Sequence, residues 1–271
     1  MNDPSFDPVA LFGMYMKATG VPSLAPAAAE DPVLQGKSLG LVHGSSWISL
    51  WADYFGRQLL PGVRLVSVGN QGVQLNFMTA HHKGEPCPPQ TNIDLFVRYA
   101  QDLTDLWPID ALMVTCSTMN RAADAVKSAM RERNVPVVQI DEPMMERAVE
   151  TGGRILVVAT HGPTVKSTQA LLQETADRLG KRVAFAGATV EEAFACLGRG
   201  AIAEHNEHIA RAIRESRAKD KIDSVVLAQL SMTVFKLTYP DCRSEFGMDV
   251  LTSGETGFER VGAILRGQRE A

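Results

Sequence analysis

From Lys37 onward the chain alternates short, nearly continuous apolar runs with longer stretches in which apolar residues recur every three or four positions. The short runs are SLGLVHG, VRLVSVG, DALMVTC, VPVVQID, GRILVVAT, KRVAFAG, DSVVLAQ and MDVLTSG. Successive side chains of a strand point to opposite faces, so an unbroken apolar run predicts a strand covered on both sides, as in a parallel sheet with crossover helices. The stretches between predict helices at Ile48–Leu59, Asn92–Leu106, Asn120–Asn134, Pro143–Thr151, Thr164–Leu179, Val190–Arg199 and Ile202–Ala218. Strand and helix alternate throughout, which places the chain in the α/β class with mainly parallel sheets.

Two strand ends recur. DALMVTCSTM at 110–119 returns 113 positions later as DSVVLAQLSM at 223–232, and GLVHGSSWIS at 40–49 resembles ILVVATHGPT at 155–164. Two repeats at nearly the same offset predict two similar α/β domains related by a pseudo-two-fold, with an active-site cleft between their strand ends. Domain boundaries follow from the repeat: an extension at 1–36, a first domain at 37–145 plus 241–271, and a second at 146–240. In the extension, Pro8–Lys17 predicts a short amphipathic helix, and VPSLAPAAAEDP predicts a linker or surface strap.

Composition narrows the partners. A formal charge of −4 with no basic stripe argues against a surface built to neutralise phosphates, so no nucleic-acid partner is expected. No stretch of 18 or more apolar residues predicts a membrane span, and MNDPSFDPVALFGMYMK lacks the basic start and apolar core of a signal peptide. Cys87, Cys116, Cys196 and Cys242 are far apart and form no CxxC pair, which fits free thiols and a cytoplasmic location. No GxGxxG or GxxxxGK[ST] motif stands between a strand and a helix, so no nucleotide cofactor is implied. His205 and His208 lie at i,i+3 on a predicted helix and His81–His82 in a predicted loop, without the partner ligands a metal site needs.

The repeat draws attention to Cys116. It follows a predicted strand and precedes a predicted helix, where N–H groups and the helix dipole would lower a thiol pKa. A thiolate there is a base or a nucleophile, whereas a small buried hydrophobe is the alternative. Cys87 reads as loop filler and Cys196 as helix core, and Cys242 has no supporting motif. At the repeated position stands Gln229, whose amide donates and accepts hydrogen bonds but does not titrate. Hydroxyls of Ser45, Ser46, Ser117, Thr118, Thr160, Thr164 and Ser231 sit next to loop and helix-start N–H groups, a set suited to binding a carboxylate and equally to helix capping. His43 and His161 lie in two of these loops and titrate near neutral pH, His43 reading rather as a structural histidine.

The stretches GLVHGSSW, DALMVTCSTMN, VPVVQIDEPMMERAVETGGRILVVATHGPT, VEEAFACLGRG and DSVVLAQLSM together resemble the aspartate/glutamate racemase superfamily, from about Lys37 to the C-terminus. That superfamily includes amino-acid and hydantoin racemases, maleate isomerases and arylmalonate decarboxylases. The resemblance implies a cofactor-independent enzyme acting on a small carboxylate or related carbonyl compound, with a homodimer as its common assembly. In two-base members a cysteine ends a strand in each domain, and the two thiols flank the substrate carbon. Cys116 matches the first position and Gln229 replaces the second. Ser117, Thr118 and Thr160 match carboxylate-binding positions.

With one thiol, racemisation needs another base such as His161 or a water. Cis-trans isomerisation by thiol addition, or decarboxylation with protonation from one face, needs none. The position of Cys116 favours isomerase-type chemistry, with a single-cysteine decarboxylase or lyase as the second expectation. A carboxylate-binding protein without turnover is the third.

Overall fold

The computed structural model describes residues 8–19 and 31–268. Their contacts separate them into two compact units. The first takes the described residues up to Val114, then Arg121–Val137 and the chain from Val261; the second takes Thr115–Asn120 and Val138–Arg260.

In chain order the elements begin with α1 (Pro8–Thr19), β1 (Ser38–His43), α2 (Ile48–Leu59), β2 (Arg64–Gly69), α3 (Gln71–Lys83), α4 (Gln90–Leu106) and β3 (Ala111–Val114). A 3-10 turn at Ser117–Ala122 leads to α5 (Ala123–Arg131), β4 (Val137–Gln139), α6 (Glu142–Thr151), β5 (Gly153–Ala159), α7 (Gly162–Arg178) and β6 (Val183–Thr189). Then come α8 (Glu191–Gly198), α9 (Ile202–Lys219), β7 (Ser224–Leu227), a second 3-10 turn at Leu230–Val234, α10 (Phe235–Thr238), α11 (Cys242–Phe246), β8 (Asp249–Thr252) and α12 (Ser253–Leu265). One four-stranded sheet has the order β2-β1-β3-β4 and the other β6-β5-β7-β8. All eight apolar runs are strands, and the two sheets share one strand order, as the sequence repeat predicts.

The core of the second sheet shows why its strands read as unbroken apolar runs. Along β5, Ile155, Val157 and Ala159 pack with Met144 and Ala148 of α6 and Leu172 and Ala176 of α7. The alternate residues Leu156 and Val158 pack with Ile209, Ala210 and Ile213 of α9. Both faces are therefore covered, and each fully buried Val, Leu or Ile contributes about 1.5–3 kcal/mol. Helix α7 leaves β5 on one face, whereas α10 and α11, which leave β7, pack beside α9 on the other. Connections leaving a strand pair on opposite faces define a topological switch point, here between β5 and β7.

Gly153 opens β5 with φ +74, and a Cβ placed there would lie 2.2 Å from Asp223 Oδ2 and 2.9 Å from Asp223 Cβ. Asp223 is itself held, since its Oδ2 accepts the Arg154 N–H at 2.8 Å. Gly153→Ala should thus combine left-handed strain of about 1–2 kcal/mol with a clash of about 1–3 kcal/mol. The expected result is a lower urea midpoint with an unchanged m-value; an unchanged midpoint would contradict this close approach.

Three sequence expectations need correction. MDVLTSG was expected to join the first domain within 241–271, yet β8 pairs with β7 in the second sheet, from Ser224↔Asp249 to Leu227↔Thr252. Only the chain from Val261 groups with the first unit. A four-residue apolar strand fits either sheet, so its sequence does not say which one it extends. The pair His81–His82, expected in a loop, ends α3, a helix with only Val73 and Ala80 buried and hence little apolar periodicity to read. Its boundaries are made by Asn70, whose side chain accepts from Gly72 N at 2.8 Å, and by Gly84 at φ +70. Finally, the helix expected over Asn120–Asn134 is split, with a 3-10 turn first and α5 starting only at Ala123.

In the extension, the expected helix is present as α1, with Val9, Phe12 and Met14 exposed. Residues 20–30, which hold most of the expected strap, lie outside the described residues.

Candidate functional site

Cys116, Gln229 and His161 all fall in the second unit. Cys116 stands two residues beyond β3 and one before the 3-10 turn. Its sulfur lies 3.2 Å from Thr118 Oγ1, and the Met119 N–H donates to the Cys116 carbonyl at 3.1 Å. By surface area the residue is partly buried, while its sulfur is densely surrounded by protein. Burial pushes the thiol above its ordinary range, and the nearby Asp141 carboxyl pushes the same way. Hydrogen bonds from the Thr118 hydroxyl and from the N–H groups of Met119 and Thr118 oppose this without overcoming it.

The lowered thiol pKa expected from the sequence is therefore not found. Its premise was an adjacent helix N-terminus, whereas α5 begins seven residues later and a short 3-10 turn supplies little dipole. At neutral pH Cys116 rests as a protonated thiol.

Asp141, which carried no role in the sequence-based site, is its electrostatic neighbour. It is 1% exposed, at the end of the run VPVVQID, immediately before α6. An Asp there would ordinarily cap the helix, but Gln139 does so, its Oε1 accepting from Asp141 N at 2.8 Å and Glu142 N at 2.9 Å. That frees the carboxyl to accept from Ser117 Oγ at 3.0 Å and Gln139 Nε2 at 2.9 Å. Burial raises the Asp141 pKa to about 6, against the pull of Gln139, Ser117 and Ser253. Ser253 lies close enough to aid the charge, although its Oγ completes no hydrogen bond within the usual limits. The only sequence signal for Asp141 is an acid closing a buried strand run, and many helix caps share it.

Gln229 starts the second 3-10 turn, just beyond β7. Its Oε1 accepts two hydrogen bonds from Thr160, one from the backbone N–H and one from Oγ1, both at 2.8 Å. Thr160 is 1% exposed and stands one residue beyond β5, so this clamp spans the switch point of the sheet. His161 follows it, half-buried, with its ring 4.6 Å from that of Phe194. Burial lowers the His161 pKa, partly opposed by Glu191, so the imidazole is neutral at pH 7.

The Cys116 and Gln229 turns come to one edge of the second unit. Gln229 lies two residues beyond Leu227, and Ser253 one residue beyond Thr252, its partner in register. Ser253 in turn adjoins Asp141, and Asp141 holds Ser117 next to Cys116.

Four of the seven hydroxyls expected to bind a carboxylate, those of Ser45, Ser117, Thr118 and Thr160, are engaged with other side chains. Ser117 donates to Asp141, Thr118 Oγ1 is hydrogen-bonded with Cys116 Sγ, and Thr160 donates to Gln229. Thr164 is buried in the first turn of α7, where its N–H donates to His161 O, and Ser231 is buried in the second 3-10 turn. Ser45 and Ser46 belong to the first unit. Ser45 Oγ donates to Gln71 Oε1, and Ser46 is exposed, its carbonyl accepting from Ser49 Oγ at 2.6 Å.

His43 is fully buried in the first unit, and burial lowers its pKa to about 4, which fits the structural reading. His205 is buried in α9 with Nδ1 2.8 Å from Asn206 Oδ1. Among the described residues no group of three or more His, Cys, Asp or Glu could hold a metal ion, and no helix is long and apolar enough to cross a membrane.

A family model described as Asp/Glu/hydantoin racemase matches residues 89–261. Among solved structures, the chain is similar to a glutamate racemase from Bacillus anthracis, at 18% identity and a TM-score of 0.58, over 86% of this chain and 83% of that one. It is similar to an allantoin racemase from Klebsiella pneumoniae at 15% identity and a TM-score of 0.58, over 87% of this chain and 91% of that one. A cysteine-bearing mutant of arylmalonate decarboxylase aligns at 16% identity with a TM-score of 0.56, over 86% of this chain and 94% of that one. No curated protein sequence matches the chain.

Proposed function

This chain belongs to the Asp/Glu/hydantoin racemase family, and from that premise we propose that it is a cofactor-independent, isomerase-type enzyme acting on a small carboxylate, with Cys116 as its single reactive thiol. The observation that carries the proposal is the pairing of Cys116 with Gln229 at the repeated strand ends, one able to move a proton and the other not. Acid–base chemistry needs groups whose pKa values are pushed apart. Here burial keeps Cys116 a thiol, a proton donor, and keeps His161 a neutral imidazole, a proton acceptor. In racemisation His161 would take the α-proton, the electron pair would pass into the carboxylate-stabilised carbanion, and Cys116 would return a proton to the opposite face. Solvent would then restore both groups.

The raised thiol pKa also favours a second reading. In decarboxylation the bond to a carboxylate breaks, carbon dioxide leaves with the electron pair remaining on carbon, and the Cys116 S–H protonates that carbon. The resulting thiolate regains its proton from water. This route needs an acid and no second base. Cis-trans isomerisation needs the thiolate as nucleophile, which the raised pKa disfavours.

One experiment tests these readings. Proton NMR in deuterium oxide, with 2-substituted acids, substituted malonates and an unsaturated diacid, should show loss of an α-proton signal for the first reading. Loss of carbon dioxide with deuterium in a single stereochemical position would establish the second. If no acid turns over, yet one slows iodoacetamide labelling of Cys116, the chain binds carboxylates without catalysis and the enzyme proposal fails.

A further inference from the structure

We infer that Gln229, clamped by Thr160, is a fixed hydrogen-bond donor to an oxygen of the substrate and determines which substrates the site accepts. The inference rests on the proposed function and goes beyond it, because it assigns the second strand end a binding task in place of proton transfer.

The orientation of the amide follows from chemistry. A side-chain amide can be turned end for end without much change in shape, so its oxygen and nitrogen must be assigned from their partners. The Thr160 backbone N–H can only donate, and it meets the Gln229 amide at 2.8 Å. The atom facing it must therefore be oxygen. Thr160 Oγ1 donates to the same oxygen at 2.8 Å, and both donors belong to a residue that is 1% exposed at the end of a central strand. With Oε1 held twice, Nε2 and its two N–H groups lie on the side of the amide away from Thr160. Gln229 is partly exposed, and its nitrogen is not among the buried polar atoms that lack a partner.

The position suits a ligand. The clamp joins the ends of β5 and β7, the switch point where ligands of open parallel sheets bind. A donor held in this way loses little freedom on binding, which is the condition for strong discrimination between acceptors and non-acceptors. The complementary substrate carries a carboxylate or carbonyl oxygen on the side of the reacting carbon that faces Gln229. A proton on that side would meet a group unable to remove it.

Two substitutions of similar size separate this role from a structural one. Gln229→Glu keeps an oxygen for the Thr160 donors but replaces the outward N–H groups by a second oxygen. Gln229→Met keeps the bulk and removes both functions. The readout is protection of Cys116 from iodoacetamide at pH 7.5 by malonate and by its neutral diamide, followed by intact-mass spectrometry.

For the wild-type chain, protection by at least one of the two probes is expected. In Gln229→Glu the protecting concentration should rise at least ten-fold, and more for malonate, because like charges then meet. It should recover as the pH is lowered and the introduced carboxyl becomes a donor. In Gln229→Met it should rise for both probes, with no recovery. That variant decides the matter should the first fail to fold. Equal protection in wild type and a folded variant would overturn this inference while leaving the parent proposal standing. If neither malonate nor its diamide protects wild-type Cys116, no acceptor-bearing ligand of this class reaches the amide and the inference fails. Whether the parent proposal fails with it is decided separately by the exchange experiment in deuterium oxide.

Discussion

Cys116→Ala is expected to lower turnover of the substrate found by deuterium exchange by about a thousand-fold, the middle of the range for removing a general acid. Cys116→Ser should be nearly as inactive, because a hydroxyl holds its proton far more tightly than a thiol. Neither change should unfold the chain. The residue is only partly buried and its one side-chain partner is Thr118 Oγ1 at 3.2 Å, so the lost hydrogen bond costs about 1 kcal/mol.

Discrimination between readings comes from comparing kcat with KM. A proton donor acts in the transition state, so kcat should collapse while the binding of acids, measured directly, changes little. If Cys116 served as a core filler, the outcome would be the reverse, with normal turnover and a lower melting temperature. Normal turnover in Cys116→Ala would remove the single-thiol proposal entirely, since Cys196 and Cys242 are buried in packed helices and Cys87 stands on the surface.

The fold was legible because the information lies in local pattern. An apolar run such as ILVVA can satisfy both faces of a strand only under helices on each side, and the structure supplies them in α7 and α9. What was not legible depended on long-range choice. The run DVLT fits either sheet, and only its register against β7 decides. Helix α3 was missed because it buries two side chains and is defined by its caps, Asn70 and Gly84.

The site divides in the same way. Cys116 and Gln229 stood out because the strand repeats around them and the residue changes. Their wiring did not, because Ser117–Asp141 and Thr160–Gln229 join positions 24 and 69 residues apart. The error over the Cys116 pKa has the same origin. A local motif suggested a helix dipole, and burial together with a carboxyl 25 positions further along the chain reversed the sign.

That carboxyl gives the second large expected effect. In Asp141→Asn, iodoacetamide should label Cys116 faster than in wild type at pH 8, because the neighbouring carboxylate is one of the groups that hold the thiol pKa up and the amide carries no charge. The structure allows the exchange. Gln139 Nε2 must still find an acceptor, and its Oε1 is held by two backbone N–H groups, so Gln139 cannot turn around. The new amide can accept from Gln139 through its oxygen and donate to Ser117 Oγ through its nitrogen, with the serine hydroxyl rotating to accept.

The pH dependence distinguishes a charge effect from a change of shape. Asp141 titrates at about 6 in the folded chain, so wild type and variant should label at similar rates at pH 5, where the carboxyl is protonated. Their rates should diverge as the pH rises through 6. A constant ratio at all pH values would mean that Asp141 acts through packing alone.

Folding stability carries the same signature. The folded pKa of about 6 lies above the ordinary 3.8, so the folded chain binds this proton more tightly than the unfolded one. The stability this contributes is full below about pH 4 and is lost as the pH rises through 6. Asp141→Asn should remove that part of the slope, so the fall in melting temperature it causes between pH 4 and 7 disappears. At the thiol, the alkaline limb of a rate profile governed by Cys116 as acid should move to lower pH in the variant. Asp141 would thus extend the pH range over which Cys116 keeps the proton it delivers.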